Sequence, residues 1–184
     1  MPGWELIDDK ELKEVTKIFK DSNGVLFAHG FDSRRNKIFR VRDLEKNFSK
    51  ELNSKYSLMT TSGTMAQFVA MKALGIKAGD EVITQAFTFV ATIEAILALG
   101  AKPIIIDIDN SYNMDPDSLE KSISKKTKLI IPVHMLGNPC NMKRIVKISK
   151  KYKIPILEDV CESLGGKYGN DYLGTIGDCG VFSL

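Results

Sequence analysis

Short apolar runs alternate with helix-like segments from Tyr56 to the end of the 184-residue sequence. This alternation predicts an α/β fold with a mostly parallel sheet and helices on both faces, because parallel neighbours in a sheet need crossover connections. The predicted strands are residues 56–60, 81–84, 103–107, 129–133, 154–159 and 179–183. The predicted helices are residues 63–74, 91–99, 116–124 and 141–152.

Residues 1–55 lack a strand that could join such a sheet. Apolar residues recur at helical spacing in two segments of this region, residues 9–19 and 40–52. We therefore expect residues 1–55 to form an N-terminal helical arm that packs outside the sheet or on a partner chain. Residues 56–184 form the predicted sheet domain.

The composition limits the classes of function that the chain can have. A net charge of +3 is too small to indicate nucleic acid or a membrane surface as a partner. No apolar stretch approaches the ~20 residues that span a bilayer. The three cysteines, Cys140, Cys161 and Cys179, have no metal-ligand spacing, so we expect no metal site and interpret them as reduced thiols of a cytoplasmic protein.

The apolar run that begins at Ile154 ends in two carboxylates, Glu158 and Asp159. Ligands of open parallel sheets bind beyond the carboxyl ends of the strands, so Asp159 is expected to face a ligand. A carboxylate there could keep a pyridine nitrogen protonated, as a pyridoxal phosphate site requires. The alternative is an Asp that only caps a helix. Glu162 follows three residues later as a further candidate.

The stretch Thr61-Ser62-Gly63-Thr64 joins a predicted strand to a predicted helix. Small residues at a helix start let backbone N–H groups approach an anion, and the helix dipole favours negative charge there. The stretch has neither a Walker lysine nor a GxGxxG pattern. A phosphate site and a capped helix without a ligand therefore both remain possible from the residues alone.

Three further candidates follow predicted strands. Phe87 and Phe89 are either core residues or a surface that stacks on an aromatic ligand. Ser183, after a glycine-rich stretch, could donate a hydrogen bond to a phosphate. His134 is either a hydrogen-bonded structural residue or a substrate contact.

Taken together, these stretches resemble the DegT/DnrJ/EryC1/StrS family of sugar aminotransferases, over roughly residue 30 to the last residue. The motifs that carry the resemblance, in order, are Ser62-Gly63-Thr64, Gly79-Asp80-Glu81-Val82-Ile83, Phe87-Thr88-Phe89-Val90-Ala91-Thr92, Gly100-Ala101-Lys102-Pro103 leading to Asp107, Pro132-Val133-His134, Glu158-Asp159, and Gly174-Thr175-Ile176-Gly177-Asp178 with Phe182-Ser183. The resemblance implies the incomplete large domain of a type I pyridoxal phosphate-dependent transferase. It specifies the family far better than the sugar.

The resemblance also implies a role for each matching residue. Pyridoxal 5'-phosphate would be the cofactor, with pyridoxamine phosphate formed during turnover. Phe89 would stack on the pyridine ring, Asp159 would pair with the ring nitrogen, and Glu162 would lie near the phenolic oxygen. The phosphate would be held by Ser62, Gly63, Thr64 and Ser183.

The implied activity is transfer of an amino group from an amino acid to a nucleotide-linked keto-sugar, in a homodimer. The family's Schiff-base lysine lies just beyond the Phe-Ser pair that matches Phe182-Ser183, so it would fall after residue 184 and no catalytic residue is assigned. We therefore expect an N-terminal fragment that is inactive alone. The alternatives are a pyridoxamine phosphate-dependent sugar dehydratase, in which His replaces that Lys, and a non-catalytic remnant or module that binds a phosphorylated ligand.

Overall fold

The computed structural model describes residues 7–21, 24–26, 30 and 32–184. The chain divides into two compact units, Met1–Met59 and Thr60–Leu184, which are considered separately. Residues 1–6, 22–23, 27–29 and 31 of the predicted arm lie outside the described residues. No helix in the described part of the chain has the length and apolar character needed to cross a bilayer.

The described residues of the first unit form two α-helices, Asp9–Asp21 (α1) and Arg40–Glu51 (α2), with a 3-10 helix at Asp32–Arg34 between them. Both α-helices were predicted from their periodicity. Three of the four apolar residues that define the stripe of α1 are exposed within the chain: Leu12 is 64% exposed, Val15 49% and Phe19 54%, while Ile18 is half-buried. Whether this helix packs on a partner stays a prediction.

The predicted strand at residues 56–60 is wrong, because the structure has no strand there. The segment is instead held by side chains and carbonyls of the first unit. The Met59 N–H donates to Glu45 Oε1 at 2.9 Å, and Ser57 Oγ donates to the Glu45 carbonyl. The Glu45 side chain of α2 thus accepts the Met59 N–H, which is then not available for a hydrogen bond to a neighbouring strand.

A parallel sheet forms the centre of the second unit. Its strands are Glu81–Gln85 (β1), Lys102–Ile106 (β2), Thr127–Ile131 (β3), Leu157–Asp159 (β4) and Cys179–Val181 (β7), and a separate antiparallel pair is formed by Lys167–Tyr168 (β5) and Asp171–Tyr172 (β6). The order is β2-β1-β3 in one group and β4-β7 in the other. Parallel bridges Ile130–Ile156 and Val133–Asp159 connect the two groups. The strand predicted at 154–159 is therefore shorter, since Pro155 has no N–H for the ladder.

The helices of the second unit lie near their predicted positions. They are Gly63–Ala73 (α3), Val90–Ala98 (α4), Pro116–Ser122 (α5) and Met142–Tyr152 (α6). Side-chain oxygens cap three of the starts, those of Ser62, Asp115 and Asn141. A capping acceptor satisfies N–H groups that lack an intrahelical partner, which explains why these sequence positions begin helices.

Alternate residues of the strands build two apolar layers, one on each face of the sheet. Leu129 and Leu157 pack in the layer with α3 and α4, whereas Ile130 and Ile156 pack in the layer with α5 and α6. Successive strand residues point to opposite faces. Asp159 therefore shares a face with Leu157, and Glu158 shares the face of Ile156. This register decides which carboxylate meets which helices.

Close packing around Gly174 generates the first testable prediction. Gly174 has φ +86°, and a Cβ there would overlap the Phe182 ring. We expect Gly174→Ala to lower the free energy of unfolding by about 3 kcal/mol, from left-handed backbone strain plus overpacking. Gly169 also has a left-handed φ, +64°, but a Cβ there meets nothing within 4 Å. The control Gly169→Ala should cost about 1 kcal/mol in urea unfolding, and equal losses would contradict the packing argument.

Candidate functional site

Asp159 is the last residue of β4, and its side chain is buried between the sheet and two helices. It is 3% exposed. Its Oδ2 accepts hydrogen bonds from Gln67 Nε2 at 2.5 Å and Thr92 Oγ1 at 2.9 Å. Its Oδ1 accepts from the Cys161 N–H at 3.2 Å. The acid is thus fixed by α3, α4 and its own following turn, and Oδ1 retains capacity for a further donor.

The start of α3 presents backbone N–H groups. Ser62 Oγ caps the helix by accepting the Met65 N–H at 3.1 Å, so this hydroxyl serves the helix itself. The N–H groups of Gly63 and Thr64 have no partner among the described residues. Ser62 and Thr64 also border an open groove of about 310 Å³ between α3 and α4. The arrangement is that of an anion-binding helix terminus.

Gly63 faces Ser183 and Cys161 at close range. A Cβ placed on Gly63 would lie 3.2 Å from Ser183 Cβ, 3.4 Å from Ser183 Oγ and 3.1 Å from Cys161 Sγ. Only glycine therefore leaves the space between the helix start and the Ser183 hydroxyl open. Burial, together with the neighbouring Asp159 carboxylate, raises the pKa of the Cys161 thiol well above its usual range, so the thiol stays protonated.

Phe89 precedes α4, and 65% of it is exposed at the carboxyl end of β1. It is therefore not a core residue. The same helix start carries Thr92, whose N–H donates to the Phe89 carbonyl at 3.2 Å. Thr92 Oγ1 contacts both Asp159 and Thr88 Oγ1, the latter at 3.0 Å. Thr92 thus links the backbone of Phe89 to the buried acid through two hydrogen bonds.

Glu162 is exposed, and its described contact is not with the other candidate residues. Its Oε2 accepts the Leu136 N–H at 3.4 Å. Leu136 has a left-handed backbone, φ 55°, and its side chain is 72% exposed. A bulky residue in this conformation is uncommon and indicates local strain.

Glu158 has a structural role, because its carboxylate oxygens are bound by groups of the protein and are not accessible to a ligand. It is fully buried and accepts four hydrogen bonds, from the N–H groups of Gly174, Ile176 and Gly177 and from His134 Nε2. Burial opposes ionisation, but the hydrogen bonds from His134 and the backbone outweigh it and hold the pKa of Glu158 below its ordinary value. The charge therefore organises the glycine-rich loop after β6.

His134 is fully buried, which favours the structural of its two interpretations. Its Nδ1 accepts the Cys140 N–H at 3.0 Å, and its Nε2 lies 3.2 Å from Glu158 Oε2. An accepting Nδ1 carries no proton, so the proton of the neutral ring is assigned to Nε2, which donates to Glu158. Both ring nitrogens are thus occupied by the protein.

Gln67 and Gln85 were not among the site residues predicted from the sequence. Gln67 binds Asp159, as described above. Gln85 is fully buried at the end of β1, where its Oε1 accepts the N–H groups of Met114 and Val133 at 3.0 and 3.2 Å. The sequence signal that could have identified both residues is an amide side chain within an otherwise apolar helix or strand. Such a side chain is buried, and a buried polar group needs hydrogen-bond partners.

The chain is similar in sequence to known aminotransferases. A model of the DegT/DnrJ/EryC1/StrS aminotransferase family matches residues 33–184. The chain is 43% identical over 129 residues to a UDP-2-acetamido-2-deoxy-3-oxo-D-glucuronate aminotransferase of Pseudomonas aeruginosa, in a match that covers 70% of this chain and 36% of the relative. The chain spans about 40% of the length of the curated relatives it matches.

Solved structures give the same result. An aminotransferase from Psychrobacter cryohalolentis superposes with a TM-score of 0.86 at 32% identity, over 98% of this chain and 43% of that protein. The E. coli GDP-4-keto-6-deoxy-D-mannose-3-dehydratase with bound hydrated PLP superposes with a TM-score of 0.79 at 33% identity, over 93% of this chain and 43% of that protein. The likeness thus extends to both transferring and dehydrating enzymes.

The buried charge of Glu158 predicts an acid-sensitive contribution to stability. Because the folded pKa is lowered, the contribution is complete above the ordinary Glu pKa of 4.5 and is lost as the pH falls through the lowered value. We expect Glu158→Gln to lower the free energy of unfolding at pH 7 by about 3 kcal/mol, because its amide group would face backbone donors. Urea unfolding from pH 7 to pH 3 measures the difference.

The difference in unfolding free energy between Glu158→Gln and the unmodified chain should become smaller as the pH falls. Glu120 provides the control, since it forms an ion pair with Lys151 at 2.6 Å at the surface. Glu120→Gln should change stability little across this pH range. If the difference in unfolding free energy between Glu158→Gln and the unmodified chain stays constant down to pH 3, the conclusion that Glu158 is ionised in the folded state is wrong.

Proposed function

Because this chain belongs to the DegT/DnrJ/EryC1/StrS aminotransferase family, we propose that it provides the cofactor-binding part of a nucleotide-sugar aminotransferase. The reaction would move an amino group from an amino acid to a nucleotide-linked keto-sugar. The family membership predicted from the motifs is confirmed, and so is the α/β architecture of a partial type I pyridoxal phosphate-dependent fold. Pyridoxal phosphate is the cofactor implied by this membership.

The observation that carries the proposal is the meeting of an acid and an open helix start on one face of the sheet. Asp159 binds Gln67 of α3, and the Cys161 beside Asp159 lies against Gly63 at the start of the same helix. The space that a Cβ on Gly63 would fill is bordered by the Ser183 hydroxyl. Free N–H groups, a hydroxyl and a buried acid match the phosphate and pyridine ends of pyridoxal phosphate.

Each residue would have a defined task in this site. The N–H groups of Gly63 and Thr64 and the hydroxyl of Ser183 would bind the phosphate, while Ser62 holds the helix start in place through its cap. Asp159 Oδ1 would hold a proton on the ring nitrogen. When bound, pyridoxal phosphate supplies an electron sink for bonds at the carbon that carries the amino group.

Two further contacts would complete the pocket. The exposed ring of Phe89 would cover one face of the pyridine and exclude water from it. Glu162 would approach the phenolic oxygen, which requires one of the two groups to keep a proton because like charges repel. Its Oε2 accepts the Leu136 N–H at 3.4 Å, which holds the carboxylate beside the turn after His134.

A dehydratase is the second candidate, favoured by the likeness to the E. coli enzyme. The family resemblance separates the two by a single position after Phe182-Ser183, which carries Lys in aminotransferases and His in the dehydratases. That position is not among residues 1–184, so we propose that the chain alone is inactive. We also propose a homodimer of the complete enzyme and a cytoplasmic location.

Binding of pyridoxamine 5'-phosphate to the 184-residue chain tests the proposed site. This ligand carries an amine, so it cannot condense with surface lysines. Gly63→Ala should weaken its binding about tenfold, because the new methyl group crowds Ser183 and Cys161, and mild overpacking costs an equivalent free energy. Alanine favours helix, so the fold should be retained. Isothermal titration gives the dissociation constants.

Lys72→Ala is the matched control, since Lys72 is exposed and lies in the last turn of the same helix, away from the groove. It should leave affinity within about twofold of the unmodified chain, because exposed substitutions away from a site have small effects. Inorganic phosphate is the competitor. If phosphate displaces pyridoxamine phosphate with equal affinity, a general phosphate-binding module replaces the proposed function.

The reaction itself can be tested with a longer protein that continues through the position after the Phe-Ser pair. Incubated with pyridoxal phosphate, glutamate and a nucleotide-linked keto-sugar, it should yield an amino-sugar nucleotide, identified by mass spectrometry. Asp159→Asn should reduce this rate by at least about 100-fold, because the ring nitrogen loses its charged partner. Loss of a sugar hydroxyl without amino transfer would instead establish the dehydratase.

A further inference from the structure

Gln67 lies on α3 one turn after Gly63, and only 2% of it is exposed. Its Nε2 donates to Asp159 Oδ2 at 2.5 Å, where Thr92 Oγ1 also donates at 2.9 Å. A carboxylate oxygen would repel the amide oxygen, so this contact assigns which end of the Gln67 amide faces Asp159. The other end, Oε1, must then point away from the acid.

The Oε1 atom of Gln67 is buried and has no hydrogen-bond partner among the described residues. A buried acceptor without a donor lowers stability, and a leucine of similar volume would avoid the loss. Natural cores rarely retain such an atom without a reason beyond packing. The amide at position 67 is therefore explained by what its nitrogen does to Asp159 rather than by the filling of space.

Building on the proposed function, we infer that Gln67 is a positioning residue for the pyridine ring. It fixes Asp159 Oδ2, so that Oδ1, which accepts the Cys161 N–H at 3.2 Å, is presented to the ring nitrogen. The same helix offers the N–H groups of Gly63 and Thr64 to the phosphate. One rigid element thus sets the positions of both ends of the cofactor.

The test compares two ligands on the 184-residue chain: pyridoxamine 5'-phosphate and its 1-deaza analogue, in which carbon replaces the ring nitrogen. Gln67→Leu should weaken binding of the first by between about 10- and 100-fold, by analogy with the loss of groups that orient metal-ligating side chains. Binding of the analogue should change less than about twofold, because it has no ring nitrogen for Asp159.

The difference between the two ligands distinguishes a positioning role of Gln67 from a purely structural one. A variant that folds poorly loses both ligands alike, whereas a misoriented Asp159 affects only the ligand that has the ring nitrogen. Gln67→Asn is the second variant, because its shorter side chain keeps an amide but withdraws it from Oδ2, and it should show the same selective loss. Met71→Leu, at a fully buried apolar position one turn further along α3, should change neither affinity.

The outcomes also distinguish the inference from the function on which it rests. If the unmodified chain binds pyridoxamine phosphate no better than inorganic phosphate, the proposed function itself is overturned. If the unmodified chain binds it well and the Gln67 variants weaken both ligands equally, or neither, the positioning role is wrong and the proposed function stands.

Discussion

The structure depends on the burial of two adjacent carboxylates at the tip of one short strand. Glu158 and Asp159 point to opposite faces of the sheet, and each is surrounded by hydrogen-bond donors. A buried charge is tolerated only when such donors replace water. Glu158 uses its donors to organise a loop, while Asp159 keeps one oxygen less occupied. The same chemical group therefore serves folding on one face and, in the function proposed above, would serve ligand binding on the other.

The sheet architecture was readable from the sequence because it rests on local signals. Apolar runs bounded by glycine, and caps such as Asp115-Pro116, placed four helices and most strands within a few residues. The failures occurred where a tertiary contact overrode the local pattern. Residues 56–60 have a strand-like composition but bond to Glu45, and Pro155 shortens the strand that leads to Asp159.

The candidate site was only partly accessible to the same reasoning. Its glycines and its acid stand out as residue types with few other uses after a strand. Gln67 does not, because its importance comes from a contact with a residue 92 positions away. His134 shows the converse, since a chemically capable side chain proved to have both ring nitrogens bound within the protein. Composition can suggest a role for a residue, but long-range geometry decides it.

The connectivity of Asp159 also affects the order of events during folding. Its side-chain donors Gln67 and Thr92 precede it in the chain by 92 and 67 positions, respectively. The sheet that carries Asp159 is parallel throughout. Contacts of such separation form slowly, because closing large loops costs entropy before any contact forms. The pocket therefore exists only after nearly complete collapse. A ligand that binds only the completed pocket would leave the refolding rate unchanged and would stabilise the protein by slowing its unfolding.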